Sequence, residues 1–398
     1  MDIKLALHFI CKNESHCILD MLNSCKSIVD LIIANDTGST DGTQDIIRKF
    51  GEDNNIPTYV VERPFDTYEK SRNYAMDTLR DVAKNEMHWD LDKVFGFWFD
   101  CDETAIIGEK FNKEALTKDF YSISAFIDTM EYTRNTFFRL SKAFRWYGPI
   151  HEFIVCDDKD IQSDILPSDF IKIDVKMIGD TWKGDIPKKY KGHALLLEDY
   201  LETNKEDPRW IFYAAQSWHD AATLPDNKVE NEERLRRSLY YYKERVRRID
   251  GYFEEIYYSQ YRIGELMKLL EYGWNETMTE LLKAYSMDNI RGEAIFQIID
   301  HYMSQNDFNI AYIFSKFAVN AFHGKNPFPS RILFINPPLY NWRFLDVHCI
   351  CSLNSGHREE ASVYYQQLID LTKQHPDYFT KEDLNKIEMN RQFFIFKK

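Results

Sequence analysis

The sequence predicts an α/β domain followed by an all-α region, and three observations carry the prediction. Short apolar runs alternate with amphipathic helical stretches from Lys4 to Asp100. Strand patterns vanish from about residue 190. Beyond that point small residues recur inside aromatic-rich helical stretches. Residues 1–188 are therefore assigned to the α/β domain and 189–398 to the helical one.

The elements follow in order. The stretch KLALHFI (4–10) reads as a strand, and Ile18, Leu19 and Leu22 place a helix in the segment from Glu14. VDLIIAND (29–36) is a short apolar run ending in turn residues, so a second strand. Ile46, Ile47 and Phe50 share one side of a helix over 41–50, TYVVER (58–63) is a third strand, and 67–84 is helical. KVFGFWFD (93–100) is the fourth strand, with Phe95, Phe97 and Phe99 alternating as if one face were buried. Alternation of β and α units points to a parallel sheet with helices on both faces, and ligands bind such sheets beyond the carboxyl ends of the strands. Asp36 and Asp100 sit at such ends.

In the helical region, Pro208 falls where a helix begins, since proline fits the first turn. Ala214, Ala215, Gly264, Ala294, Ala311 and Ala361 mark close helix contacts, as in paired-helix repeats. The period is poorly kept, so an irregular helical array is expected, interrupted over 321–345 by proline-containing turns.

Bulk composition narrows the partners. The chain has 398 residues, 44% hydrophobic and 15% aromatic, enough to bury a sizeable core. A formal net charge of -14 disfavours nucleic acid and anionic membranes as partners. No run is long and apolar enough for a transmembrane helix, and MDIKLALHFICKNES does not read as a signal peptide. The seven cysteines show no disulfide or zinc-finger spacing, and free buried thiols suit a reducing, cytoplasmic setting.

The chemistry gathers at strand ends. In FGFWFDCDET (95–104), Asp100 and Asp102 stand two apart and face one side, with Cys101 turned away. Such a pair suits Mg²⁺ or Mn²⁺, which prefer oxygen ligands, although an acidic turn has the same spelling. NDTGSTDGT (35–43) closes the second strand, with Gly38 and Gly42 permitting tight turns and Thr40 or Asp41 capping the next helix. CKNES (11–15) follows the first strand, and its Glu14 equally suits a helix N-terminus. YEKSRNYAM (68–76) sets Arg72 and Asn73 early in a helix, and RWYGPIHEF (145–153) brings His151 and Glu152 after a Gly-Pro turn.

K-N-E, D-T-G-S-T-D-G-T, S-R-N-x-A, D-x-D and G-x-I-H-E stand in this order over roughly residues 1–180. The succession resembles the family 2 glycosyltransferases, whose GT-A fold is a Rossmann-like mixed sheet, and the tail resembles the tetratricopeptide-like extension of some members. The resemblance implies a hexosyltransferase-like enzyme that takes a nucleotide diphosphate sugar, usually a UDP-sugar, and inverts the anomeric centre. It assigns Asn13, Glu14, Asp36, Ser39, Asp41, Arg72, Asp100 and Cys101 to the donor, with Asp36 meeting the base. It assigns Asp102, His151 and Asp100 to the divalent metal.

Inversion needs a general base on the acceptor. The family's E-D pair has no clean match here; Asp128, Glu131 and Glu152 are the candidates. GDTWKGD (179–185) also departs from relatives, which often carry a histidine before the glycine. The acceptor is a glycan, peptide or protein, and the helical region serves that acceptor or self-association as a homo-oligomer. Two alternatives stand beside this reading: nucleotidyl transfer, disfavoured because CKNES lacks a glycine-rich loop, and a helical-repeat adaptor with a vestigial transferase domain.

Overall fold

The computed structural model describes residues 2–127, 130–176, 178–179, 185–204, 207–224 and 227–394, without the side chains of Met130 and Glu131. The chain forms two compact units, Met1–Tyr200 and Leu201–Lys398.

The first unit is built on a mixed sheet. Strands β1 (Lys4–Cys11), β2 (Leu31–Asp36), β3 (Thr58–Glu62) and β4 (Val94–Phe97) form a parallel block in the order β3-β2-β1-β4. The intervening helices are α1 (Ile18–Cys25), α2 (Thr43–Asn54) and α3 (Tyr68–Asp81). The sheet then continues through β7 (Met130–Arg139), β6 (Phe120–Ile127), β11 (Ile171–Val175) and β5 (Glu103–Ile107). β7 runs antiparallel to β4 and β6, and β5 antiparallel to β11, so the sheet is mixed rather than purely parallel. Strands β8 (Phe144–Tyr147) and β9 (Phe153–Cys156) pair separately, and β10 (Ser163–Ile165) joins β6. A mixed sheet is what the resemblance implied, although the residue patterns alone did not show the antiparallel strands, because nothing after Asp100 alternates with helices.

Both faces of β4 are buried, which corrects the expectation of one buried face. Phe95, Phe97 and Phe99 pack with Leu5, Leu7 and Phe9 of β1 and with α1 and α2. Val94 and Trp98 pack on the opposite side with Met76 and Leu79 of α3. A central strand covered on both faces is the usual state inside a parallel block. Gly96 is required there, since a Cβ would come within 2.8 Å of Phe138 and 2.9 Å of Leu140. The strand ends at Phe97, not at Asp100, because the Asp100 amide turns to the Glu103 carboxylate instead of a neighbouring strand.

The first unit closes with most of α4 (Ile186–Thr203), and the second is all helical: α5 (Pro208–Asp220), α6 (Lys228–Arg247), α7 (Phe253–Leu269), α8 (Trp274–Met287), α9 (Glu293–Ser304), α10 (Phe308–Phe322), α11 (Phe344–Asn354), α12 (Arg358–Gln374) and α13 (Lys381–Phe394). Each of these packs on the next, and α5, α7, α9 and α11 also touch in turn, which defines one layer of an array. Pro208 occupies the first turn of α5, with the Asp207 side chain capping it through the Arg209 amide. The small residues lie at the contacts: Ala214, Ala215, Ala294, Ala311 and Ala361 are fully buried, and a Cβ on Gly264 would fall 2.6 Å from Leu281. Between α10 and α11 the chain leaves the helical path, and the main chain of Ile332–Phe334 is gripped by Glu254 and Arg291. No helix among the described residues is long and apolar enough to cross a membrane, and the seven cysteines are free thiols, six of them buried.

Candidate active site

The loops after β1 and β2 are stitched together by side chains. The Asn13 amide donates to Ser39 Oγ (2.9 Å), and Asn13 Oδ1 accepts from the Thr40 amide (2.8 Å). The Glu14 amide donates to Thr43 Oγ1 and the Ser15 amide to Asp41 Oδ2, both at 2.9 Å. Burial of Asp41 is outweighed by hydrogen bonds from Thr43 and Ser15, which hold its carboxyl well below the usual carboxylate range. Asp36 is 1% exposed, and its Oδ1 accepts from the Gly38 and Ser39 amides and from Gln44 Nε2 at 2.8–3.1 Å. The turn needs Gly38 at φ 114° and Gly42 at φ 87°; Gly42 itself is the N-cap of α2, where Thr40 or Asp41 was expected. Asn13, Asp36, Ser39 and Asp41 thus build the loop pair and do not line the cleft beside it.

That cleft, about 600 Å³, opens at the carboxyl ends of β1 and β4. Cys11, Lys12 and Glu14 form one wall, Trp98, Asp100, Cys101 and Asp102 the floor, and Tyr68 and Arg72 of α3 a second wall. Arg134 of β7, the 150–152 segment, Gly179, and Lys189 and His193 of α4 complete it. Size does not single it out, since a cavity of about 490 Å³ lies in the helical unit around Arg209 and Glu255. What distinguishes the cleft is the set of acids it gathers from separate strand ends.

A chain of alternating charges underlies it. Arg72 Nε donates to Glu152 Oε1 (2.6 Å) and Arg72 Nη2 to Asp100 Oδ1 (2.8 Å). Arg134 Nη1 stands 3.9 Å from Asp100 Oδ2 and pairs bidentately with Glu103 at 2.5 Å for each bond. Both guanidiniums lie over the Trp98 ring, 4.5 Å and 4.2 Å from its centroid, and Arg72 is also 5.0 Å from that of Trp146. Cation–π contact and bidentate pairing repay part of the cost of burying arginine. Burial opposes the Asp100 charge, but Arg72 and Arg134 overcome it and hold the pKa below its ordinary value. Glu103, 3% exposed, is pushed up by burial, with Arg134 opposing.

Asp102 faces the α4 side. Its Oδ2 accepts from the Gly179 amide (3.0 Å), and a Cβ on Gly179 would press within 3.1 Å of that oxygen. Burial lowers the Lys189 pKa against the pull of Asp102, and burial with the Lys189 charge takes His193 down to about 4. His151 lines the cleft from a left-handed backbone position, φ 50°. Among the described residues, the trio of metal-type donor atoms within 4.8 Å of one another is Glu14, His16 and Cys17. Each member of the trio has a protein partner: Cys17 Sγ donates to Glu14 Oε2 (3.1 Å) and His16 Nε2 bonds to Ile178 O (2.9 Å). Asp100, Asp102 and His151 line the same cleft without closing on one point.

Of the expected residues, the structure brings together Glu14, Arg72, Asp100, Cys101, Asp102, His151 and Glu152. Asp128 and the Glu131 side chain lie outside the described residues, as do 180–184 of GDTWKGD. Sequence reasoning missed Arg134, Lys189 and His193. Lys189 and His193 stand four apart on α4, a spacing that puts both on one helix face, which was a usable signal. Arg134 offered none, since its partner Glu103 is 31 positions away on another strand.

No protein-family model matches the chain. Two curated relatives do: the SPbeta prophage-derived glycosyltransferase SunS of Bacillus subtilis (strain 168) and glycosyltransferase SunS of Bacillus phage SPbeta. Each is 27% identical over 247 residues, 58% of this chain. The chain spans about half the length of these relatives, 52%. Among solved structures, S. aureus TarS aligns at TM-score 0.36 and 12% identity, over 71% of this chain and 54% of that one. TarS 1–349 in complex with UDP aligns at TM-score 0.35 and 13% identity, over 68% of this chain and 90% of that one. Scores of this size do not by themselves establish a shared fold.

Proposed function

We propose that this chain is a metal-dependent inverting glycosyltransferase of family 2, with a GT-A first unit and a tetratricopeptide-like second one. The observation that carries the reading is the convergence of residues from separate strand-end motifs in one cleft: Glu14, Arg72, Asp100, Asp102 and His151. The likeness to glycosyltransferases named SunS supports it. The donor is a nucleotide diphosphate sugar, with UDP as the nucleotide, and the acceptor is a glycan, peptide or protein.

The donor set of the cleft, carboxylates with the imidazoles of His151 and His193, suits Mn²⁺ or Mg²⁺. Asp102, His151 and Asp100 are the residues that would hold the ion; Asp102 has Oδ2 engaged by the Gly179 amide and Asp100 has Oδ1 engaged by Arg72. Such an ion, when bound, neutralises negative charge on a departing diphosphate. Arg72 keeps Asp100 ionised and in place, and the loop pair after β1 and β2 fixes Glu14 at the rim. The acceptor's proton needs a carboxylate base. Asp128, Glu131 and Glu152 are the candidates, and Glu152 has Oε1 engaged by Arg72 Nε.

Hydrolysis of a panel of nucleotide sugars, with Mn²⁺ and with a chelator, tests the reading. Release of UDP from one sugar donor, lost on chelation, is expected. Release of pyrophosphate from a nucleoside triphosphate instead would replace it with nucleotidyl transfer.

A further inference from the structure

We propose that Glu103 and Arg134 are positioning residues that set the turn carrying Asp100 and Asp102, a role that rests on reading the cleft as the donor site. The turn is closed twice. The Glu103 amide donates to the Asp100 carbonyl (3.1 Å), and the Asp100 amide donates to Glu103 Oε2 (2.8 Å). Glu103 does this from a buried position, and a buried carboxylate needs a cation. Arg134 supplies it through two 2.5 Å bonds, from a strand that neighbours β4 in the sheet.

Both Glu103 oxygens are engaged by these contacts, and Glu103 is buried beneath the cleft rather than among its lining residues. Arg134 leans on Trp98, the residue through which β4 leaves the sheet, and its remaining reach is toward Asp100. The pair therefore acts through the turn. A purely structural ion pair would change stability alone. A positioning pair changes how well Asp102 is presented.

The test is the double variant Glu103→Met/Arg134→Met, which removes both charges together and leaves neither carboxylate nor guanidinium stranded. Arg134→Lys, which keeps the charge but not the fork, is the intermediate case. Mn²⁺ affinity in the presence of UDP is measured by electron paramagnetic resonance of the free ion, alongside amide exchange over 100–103. In the double variant, affinity is expected to fall about 10- to 100-fold, as for outer partners of metal ligands. Exchange in the turn is expected to speed up. Arg134→Lys should fall between parent and double variant. A folded double variant with parental Mn²⁺ affinity and parental exchange overturns the proposal. If the parent does not bind Mn²⁺ with UDP, the metal reading fails by itself, and exchange decides: faster supports the lock, unchanged overturns it.

Discussion

Both units bury charged side chains, and they use them differently. In the α/β unit, Glu152, Arg72, Asp100, Arg134 and Glu103 alternate in sign around a cavity, and the arginines find side-chain carboxylates. In the helical unit, Arg245 and Arg291 are fully buried, pair with Glu255 and Glu293, and in addition donate to main-chain carbonyls, of Arg248 and Tyr252 and of Leu333 and Phe334. Glu254 there accepts from the Ile332 and Leu333 amides at 2.9 and 2.7 Å. These charges finish loops, which must satisfy their peptide groups somehow. A buried ion network is therefore no evidence of a site. What marks the first network is its position at strand ends, with carboxylates facing open volume.

The comparison breaks most visibly at Asp102. Asp102→Ala removes a side chain with one protein hydrogen-bond donor among the described residues, the Gly179 amide, so little packing is lost. Metal-dependent donor hydrolysis is expected to fall by about 10²–10³-fold or more, in line with losing one preorganised electrostatic contact. The thermal midpoint should stay within about 2 °C. A folded variant with near-parental turnover would make the cleft no different from the helical unit's networks.

Arg291→Met is the mirror experiment. It strands Glu254 and Glu293 and releases the carbonyls of Leu333 and Phe334. Breaking such a buried pair costs about 3–5 kcal/mol. Urea unfolding should show that loss, while the donor KM of the folded fraction is unchanged. A raised KM with unchanged stability would give the helical network a part in donor binding.

Asp36→Asn is expected to have a smaller effect of mixed kind. Asp36 Oδ1 organises the loop after β2 through three donors, and hydrogen bonds to a charged group are worth about 1.5–3 kcal/mol each, partly kept by the amide. A loss of about 1–2 kcal/mol is expected, together with a rise in donor KM transmitted through the loop to Glu14. Circular dichroism melts and KM at saturating metal check it. A kcat effect at unchanged KM would move Asp36 into the reacting region.

Much of this was legible in the sequence, for physical reasons. The parallel block shows because each strand is a continuous apolar run followed by a helix of different period. The acids show because carboxylates do not follow buried strands by default. The antiparallel half and Arg134 stayed hidden because pairing across a sheet leaves no local spacing: Phe97 meets Phe137, and Glu103 meets Arg134. Asp36 read as a donor contact because a loop-building aspartate and a ligand-binding one look alike in one dimension. Only the partners of its carboxylate, here the Gly38 and Ser39 amides and the Gln44 side chain, separate the two.

The smallest effect expected belongs to a third use of charge, neither site nor clamp. Asp346 lies in α11, and burial raises its pKa to about 6, with Arg343 opposing and Asp383 adding to the rise. The unfolded chain releases that proton near the ordinary value of 3.8. Between these values the folded protein holds the proton more tightly, so the stability this gives is complete below about pH 4 and is lost as pH rises toward about 6. Asparagine resembles the protonated acid and does not titrate. Asp346→Asn should therefore match the parent at pH 4 and exceed it at pH 7 by about 1–2 kcal/mol, less than the full linkage value because Asp346 is only partly buried and solvent screens its charge. Urea midpoints of parent and variant at both pH values check this, since titration of other groups cancels in the difference. A difference that does not change with pH would mean that Asp346 is as well paired as the acids of the cleft.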